Sequence, residues 1–118
     1  MRTYTGVASS AAKNAIGQEV YELTTWVEWT ANMDLSVEEY RVTRQEFARS
    51  NFAPPDAGKP NYTIESCYVN PRNVKLYSQA EIAVFYNTGY TVINNINMHG
   101  NGDFSSGPRA LKNLCKRE

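Results

Sequence analysis

The run from Glu19 to Thr30 restricts the fold more than any other stretch of the chain. Tyr21, Leu23, Val27 and Trp29 lie on one side of a period-two repeat, and Glu22, Thr24, Trp26 and Glu28 lie on the other. Successive side chains on a strand point to opposite faces, so this pattern predicts a β-strand with one face in a core and one face toward water. Trp26, flanked by acids on the wet face, is either sheet surface or part of an interface.

Such a strand needs neighbours. Arg2 to Ala8 alternates with Thr, Tyr and Val prominent and predicts a first strand, followed by a loop over Ser9 to Gly17. Tyr62 to Val69 predicts another, Asn70-Pro71-Arg72-Asn73 a turn, and Val74 to Tyr77 a short strand or connection. Over residues 78 to 87 a helix capped by Ser78 and Glu81 competes with a strand. The β-branched and aromatic runs on either side of Asn87-Thr88-Gly89 favour a hairpin over 81 to 98 with Tyr86 opposite Tyr90. In that hairpin Ile82, Val84, Val92 and Ile96 share the core face, and Phe85, Thr91, Ile93 and Asn95 share the other.

Two segments predict helices. Ser36-Val37-Glu38-Glu39 matches a capping box, with Leu35 and Tyr40 placed as its hydrophobic staple, so a helix is expected over 36 to 50. Val37, Tyr40, Phe47 and Ala48 would form its apolar stripe, and Arg41, Arg44, Gln45 and Arg49 its polar face. Asn51 to Pro60, with Pro54-Pro55 and Gly58, is a loop. Gly107-Pro108 opens a last helix with Leu111, Leu114 and Cys115 buried. The expectation is a single α+β domain: a mainly antiparallel sheet of five or six strands, one central helix and a short C-terminal helix.

The chain has 118 residues, 42% of them hydrophobic, enough for one core without metal or disulfide staples. Twelve basic residues balance twelve acidic ones, so there is no summed positive charge to hold a nucleic-acid polymer or an anionic membrane. No signal-type or membrane-spanning apolar run is present, which predicts a cytoplasmic protein with Cys67 and Cys115 as buried thiols.

Function is best sought between Asn94 and Arg109. A glycine-rich polar loop leading into a helix start, with Arg109 at its mouth, suits an anion, because backbone N–H groups exposed there carry partial positive charge. The sole histidine, His99, precedes Asp103 and could pair with it in acid–base chemistry. One histidine cannot build a multi-histidine metal site, and no GxSxG, HExxH or phosphate-loop motif occurs, so no metal or cofactor is expected. Capture of a phosphate-bearing ligand needs a ring to stack on a base, an amide to read its edge and a guanidinium for phosphate. Phe85, Asn95 and Arg109 are one such set, with the backbone of Ser105, Ser106 and Gly107 cradling the anion and Arg41 or Arg44 as further phosphate contacts.

An aromatic followed ten residues later by an asparagine, Phe85 and Asn95, and then an arginine near the C-terminus, Arg109, resembles the phage anti-Thoeris sponge proteins, over the last third of the chain. The resemblance implies a homo-oligomer that binds a cyclic ADP-ribose-type signal at a subunit interface without cleaving it, in the host cytoplasm if the protein is phage-encoded. Three other readings remain: a small enzyme acting on a phosphate-bearing substrate, a single-strand nucleic-acid module suggested by eight tyrosines, and a protein-interaction module using Trp26 and Trp29.

Overall fold

The computed structural model describes residues 1–56, 58–85 and 89–107. They form seven strands and no helix: β1 (Arg2–Lys13), β2 (Glu19–Ala31), β3 (Val37–Arg49), β4 (Asn61–Asn70), β5 (Asn73–Ile82), β6 (Tyr90–His99) and β7 (Phe104–Gly107). All pairings are antiparallel, in a three-stranded sheet ordered β1-β2-β3 and a four-stranded sheet ordered β4-β5-β6-β7. The two sheets pack face to face, so the fold is an all-β sandwich rather than the α+β domain expected.

The central helix is replaced by β3. Inward positions there are Val37, Tyr40, Val42, Gln45 and Phe47, because the β2–β3 register shifts twice, between Trp26 and Val27 and between Thr30 and Ala31. Each bulge inserts a residue, so inward side chains are spaced three, two, three and two apart. That rhythm puts Val37 and Tyr40 at a helical spacing. The supposed capping box is a turn instead: Asp34 Oδ1 accepts from both the amide and the hydroxyl of Ser36, and Leu35 adopts a left-handed φ of 68°. With Asp34 occupying the Ser36 hydroxyl, that hydroxyl has no helix to cap. The expected helix from Pro108, with Arg109 and Cys115, lies outside the described residues.

Strand lengths also differ. β1 continues through Ser9–Lys13, and β5 runs unbroken to Ile82. The hairpin survives with its core face as expected, Ile82, Val84, Val92 and Ile96 all being buried. Phe85 lies beyond the end of β5 and does not join Thr91, Ile93 and Asn95 on the other face. The expected register does not survive, since Tyr90 opposes Ile82.

The inner faces form two hydrophobic clusters. One joins Val27, Trp29 and Val37 to Val74, Leu76, Ile96 and Met98, and the other joins Val20, Tyr21 and Leu23 to Ala80, Ile82, Val84 and Val92. Between them runs a seam of buried polar side chains. Asn94 accepts from Ser10 Oγ at 2.6 Å and donates to Leu23 O, Thr25 Oγ1 and Ala8 O at 3.0, 3.0 and 3.2 Å. Ser78 Oγ lies 2.8 Å from Thr25 Oγ1 and accepts from Gln45 Nε2 at 2.8 Å. On the β1 side the sandwich closes over Gly6, where any Cβ would strike the Phe104 ring of β7.

Tyr21 ties the far cluster to the 50–60 loop by donating to Asp56 Oδ1 at 2.7 Å. Burial, with help from the Asp56 carboxylate, pushes its phenol up to about 12. A pKa raised on folding stabilises the fold fully below the unfolded value near 10, and that contribution is lost as pH rises through 12. Tyr21→Phe is therefore expected to flatten the fall in stability between about pH 10 and 12, measured by urea unfolding across that range.

Cys67 is disulfide-bonded, not the free buried thiol expected. Cys115 lies outside the described residues.

Candidate functional site

The outer face of the four-stranded sheet carries the odd-numbered residues of its strands. Register places them in rows: Cys67, Lys75, Asn97 and Ser105 in one, and Glu65, Tyr77, Asn95 and Gly107 in the next. Neighbours within a row are about 5 Å apart at Cα.

Asn95 stands out in this polar surface. It is 9% exposed, and neither its Oδ1 nor its Nδ2 has a hydrogen-bond partner. Thr30 Oγ1 and Asn73 Oδ1 are also buried without partners, but Asn95 alone among the described residues leaves two side-chain polar atoms unmet. Native structures pair nearly all such atoms, and each unmet one costs about 1–3 kcal/mol. Its two row neighbours are unlike. Gly107 has no side chain, and a Cβ there would meet nothing within 4 Å. Tyr77 places a ring on the other side, its hydroxyl donating to Gln79 Oε1. Burial, then the carboxylates of Glu65 and Glu81, raises the Tyr77 phenol above its ordinary range, so it remains a neutral donor. In the adjacent row Lys75 brings an ammonium and Asn97 a second amide, with Ser105 beyond.

The other expected site residues are dispersed. Phe85 sits in the β5–β6 connection, its amide donating to Pro55 O, and its side chain is half-exposed. Asn95 lies five residues into β6 beyond Tyr90, roughly 17 Å along the strand, so the two do not share one small surface. Ser105, Ser106 and Gly107 belong to β7, and Ser106 pairs with Ile96 on the inner face; the helix expected after them lies outside the described residues. Arg109 lies outside the described residues. His99 and Asp103 flank the tight β6–β7 turn, where Asp103 accepts from Asn101 Nδ2 rather than forming an acid–base pair by any bond seen here.

Arg41 and Arg44 project from the outer face of the opposite sheet, with both sheets between them and Asn95. Arg41 donates to Glu28 from Nε and Nη2, at 3.2 and 2.9 Å. Arg44 pairs with Glu46 and lies 4.9 Å above the Trp26 ring. An open depression of about 460 Å³ beside them is lined by Glu28, Thr30, Glu39 and Arg41, and its two carboxylates disfavour an anion.

Lys75, Tyr77 and Asn97 were not singled out from sequence. The signal for Lys75 and Tyr77 is the alternation Asn73, Lys75, Tyr77, Gln79 along β5, and Asn97 continues the Ile93, Asn95 face of β6. Among the described residues no group of three or more His, Cys, Asp or Glu is placed to hold a metal ion. No protein-family model, curated protein or solved structure matches the chain.

Proposed function

We propose that the protein is a non-catalytic binding module that captures and sequesters a small nucleotide-type ligand on the outer face of β5, β6 and β7. The observation that carries this reading is the doubly unpartnered amide of Asn95. A carboxamide offers one acceptor and one pair of donors side by side, the complement of a nucleobase edge. The step at Gly107 leaves room for a planar group beside it, Tyr77 supplies an aromatic surface, and Lys75 supplies a cation for phosphate. Cyclic ADP-ribose-type signals are the ligand class suggested by the resemblance in the last third of the chain. Because disulfides persist mainly in oxidising surroundings, the bond at Cys67 weighs against the reducing cytoplasm.

The test is calorimetric titration with cyclic ADP-ribose, ADP-ribose and the four ribonucleoside monophosphates, alongside urea unfolding. Asn95→Leu is expected to weaken binding by at least about 30-fold while leaving stability unchanged or raising it by about 1 kcal/mol, since it removes two unmet polar atoms. Ligand recovered after denaturation should be chemically intact. Absence of binding by the parent protein, or recovery of an altered ligand, would refute the proposal.

A further inference from the structure

Cys67 is disulfide-bonded, and the sequence holds one other cysteine, Cys115. Cys67 and Gly107 are both outward positions of the four-stranded sheet, on its opposite edge strands β4 and β7. Three strand spacings and one row separate them, about 16 Å. Eight residues lead from Gly107 to Cys115. Fully extended they reach at most about 29 Å, and a disulfide bridges about 5.5 Å more between Cα atoms. The inner face is closed to them, because it is filled by the core. A detour round the nearer end of the sheet measures about 37 Å, beyond their reach. The direct line from Gly107 to Cys67 runs over the outer face, across β6 between Asn95 and Asn97 and across β5 between Lys75 and Tyr77.

We propose that residues 108–115 are a strap over this face, latched by a Cys67–Cys115 disulfide, that retains a ligand seated on Asn95. A second observation points to a cover. Among the described residues Asn95 is the one outward residue of this sheet that is buried, although Gly107 beside it brings no side chain to shield it. Charge is complementary as well: the strap carries Arg109 and Lys112 and no acid, and the face beneath it presents Glu65 and Glu81 against Lys75. Those two strap cations also suit a phosphate held between strap and sheet. Retention rests on the reading of Asn95 as a ligand contact, whereas the latch stands without it. Opening the latch with a dithiol breaks the S–S bond: the dithiol gives up two electrons and two protons, two thiols form, and the dithiol closes to its own cyclic disulfide.

The test uses the full oxidised chain. Proteolysis without reductant, followed by mass spectrometry, should return a peptide pair joined through Cys67 and Cys115. A Cys67–Cys67 pair between copies, or two free thiols, overturns the latch. Acetylation of Lys75 should accelerate several-fold when dithiothreitol opens the bond, with the exposed Lys59 as the unchanged reference. Cys115→Ser should give the same acceleration without reductant. A Lys75 rate that neither treatment alters overturns the crossing. Release of bound cyclic ADP-ribose on dilution should be about 10-fold faster from Cys115→Ser than from the parent, and equal rates overturn retention. Cyclic ADP-ribose that never binds refutes the reading of Asn95 and the retention built on it, while the peptide pair and the Lys75 rate still decide the latch.

Discussion

Replacing Asn94 with alanine is expected to destabilise the fold by about 3–4 kcal/mol in urea unfolding, and replacing it with leucine is expected to cost nearly as much. Both substitutions strip partners from buried groups. The carbonyls of Ala8 and Leu23 lose the Nδ2 donor, and the Ser10 hydroxyl loses its acceptor. Leucine restores volume without restoring hydrogen bonds, so the pair of variants separates packing from polar satisfaction. A leucine variant as stable as the parent would show that the seam contributes nothing net. Removing a single outlying member, Gln45, should cost far less, because Ser78 keeps its bond to Thr25.

Trp29→Ala is expected to be worse, at about 4–5 kcal/mol, near the upper end for loss of a buried ring. Trp29 is 1% exposed, between Tyr4 at 5.6 Å and Phe104 at 5.8 Å between ring centroids. Its Nε1 also donates to His99 O at 2.9 Å, so the ring anchors the β6–β7 turn. Phenylalanine would keep much of the packing and lose that bond, for an expected cost of about 2 kcal/mol. The checks are urea unfolding and amide exchange. In the alanine variant protection should fall first at Phe104 to Gly107. A loss below about 1 kcal/mol would mean that this cluster repacks freely. The contrast with Asn95→Leu is informative, because a buried residue that can be replaced without loss of stability is one whose chemistry the fold does not use.

Which features were legible in the sequence follows from local geometry. From Tyr21 to Thr30 the alternation is strict, and its inward set of Tyr21, Leu23, Val27 and Trp29 is the core face of β2. The core face of the hairpin was legible for the same reason. β3 was not, because bulges break the period on which such readings depend, while Ser36 and Glu39 imitate a helix start. β1 and β5 read short because their inward positions include Ser10 and Ser78, polar residues whose partners lie across the sandwich and are invisible in a local window. Of the candidate site, Asn95 was singled out from sequence. Gly107 beside it was singled out too, but only as part of an anion cradle, and Tyr77 was not, since which residues flank Asn95 depends on β5–β6 and β6–β7 register.

β7 is only four residues long, yet it faces two ways. Phe104 stacks on Trp29 deep inside, while Ser105 and Gly107 border the row of amides on the outer face. A short ribbon gripped by one ring cannot shift at its outer margin without tugging on that ring. Any molecule that seats itself beside Gly107 thus leans on the protein's most sensitive indole, and the fold carries its own optical gauge of occupancy.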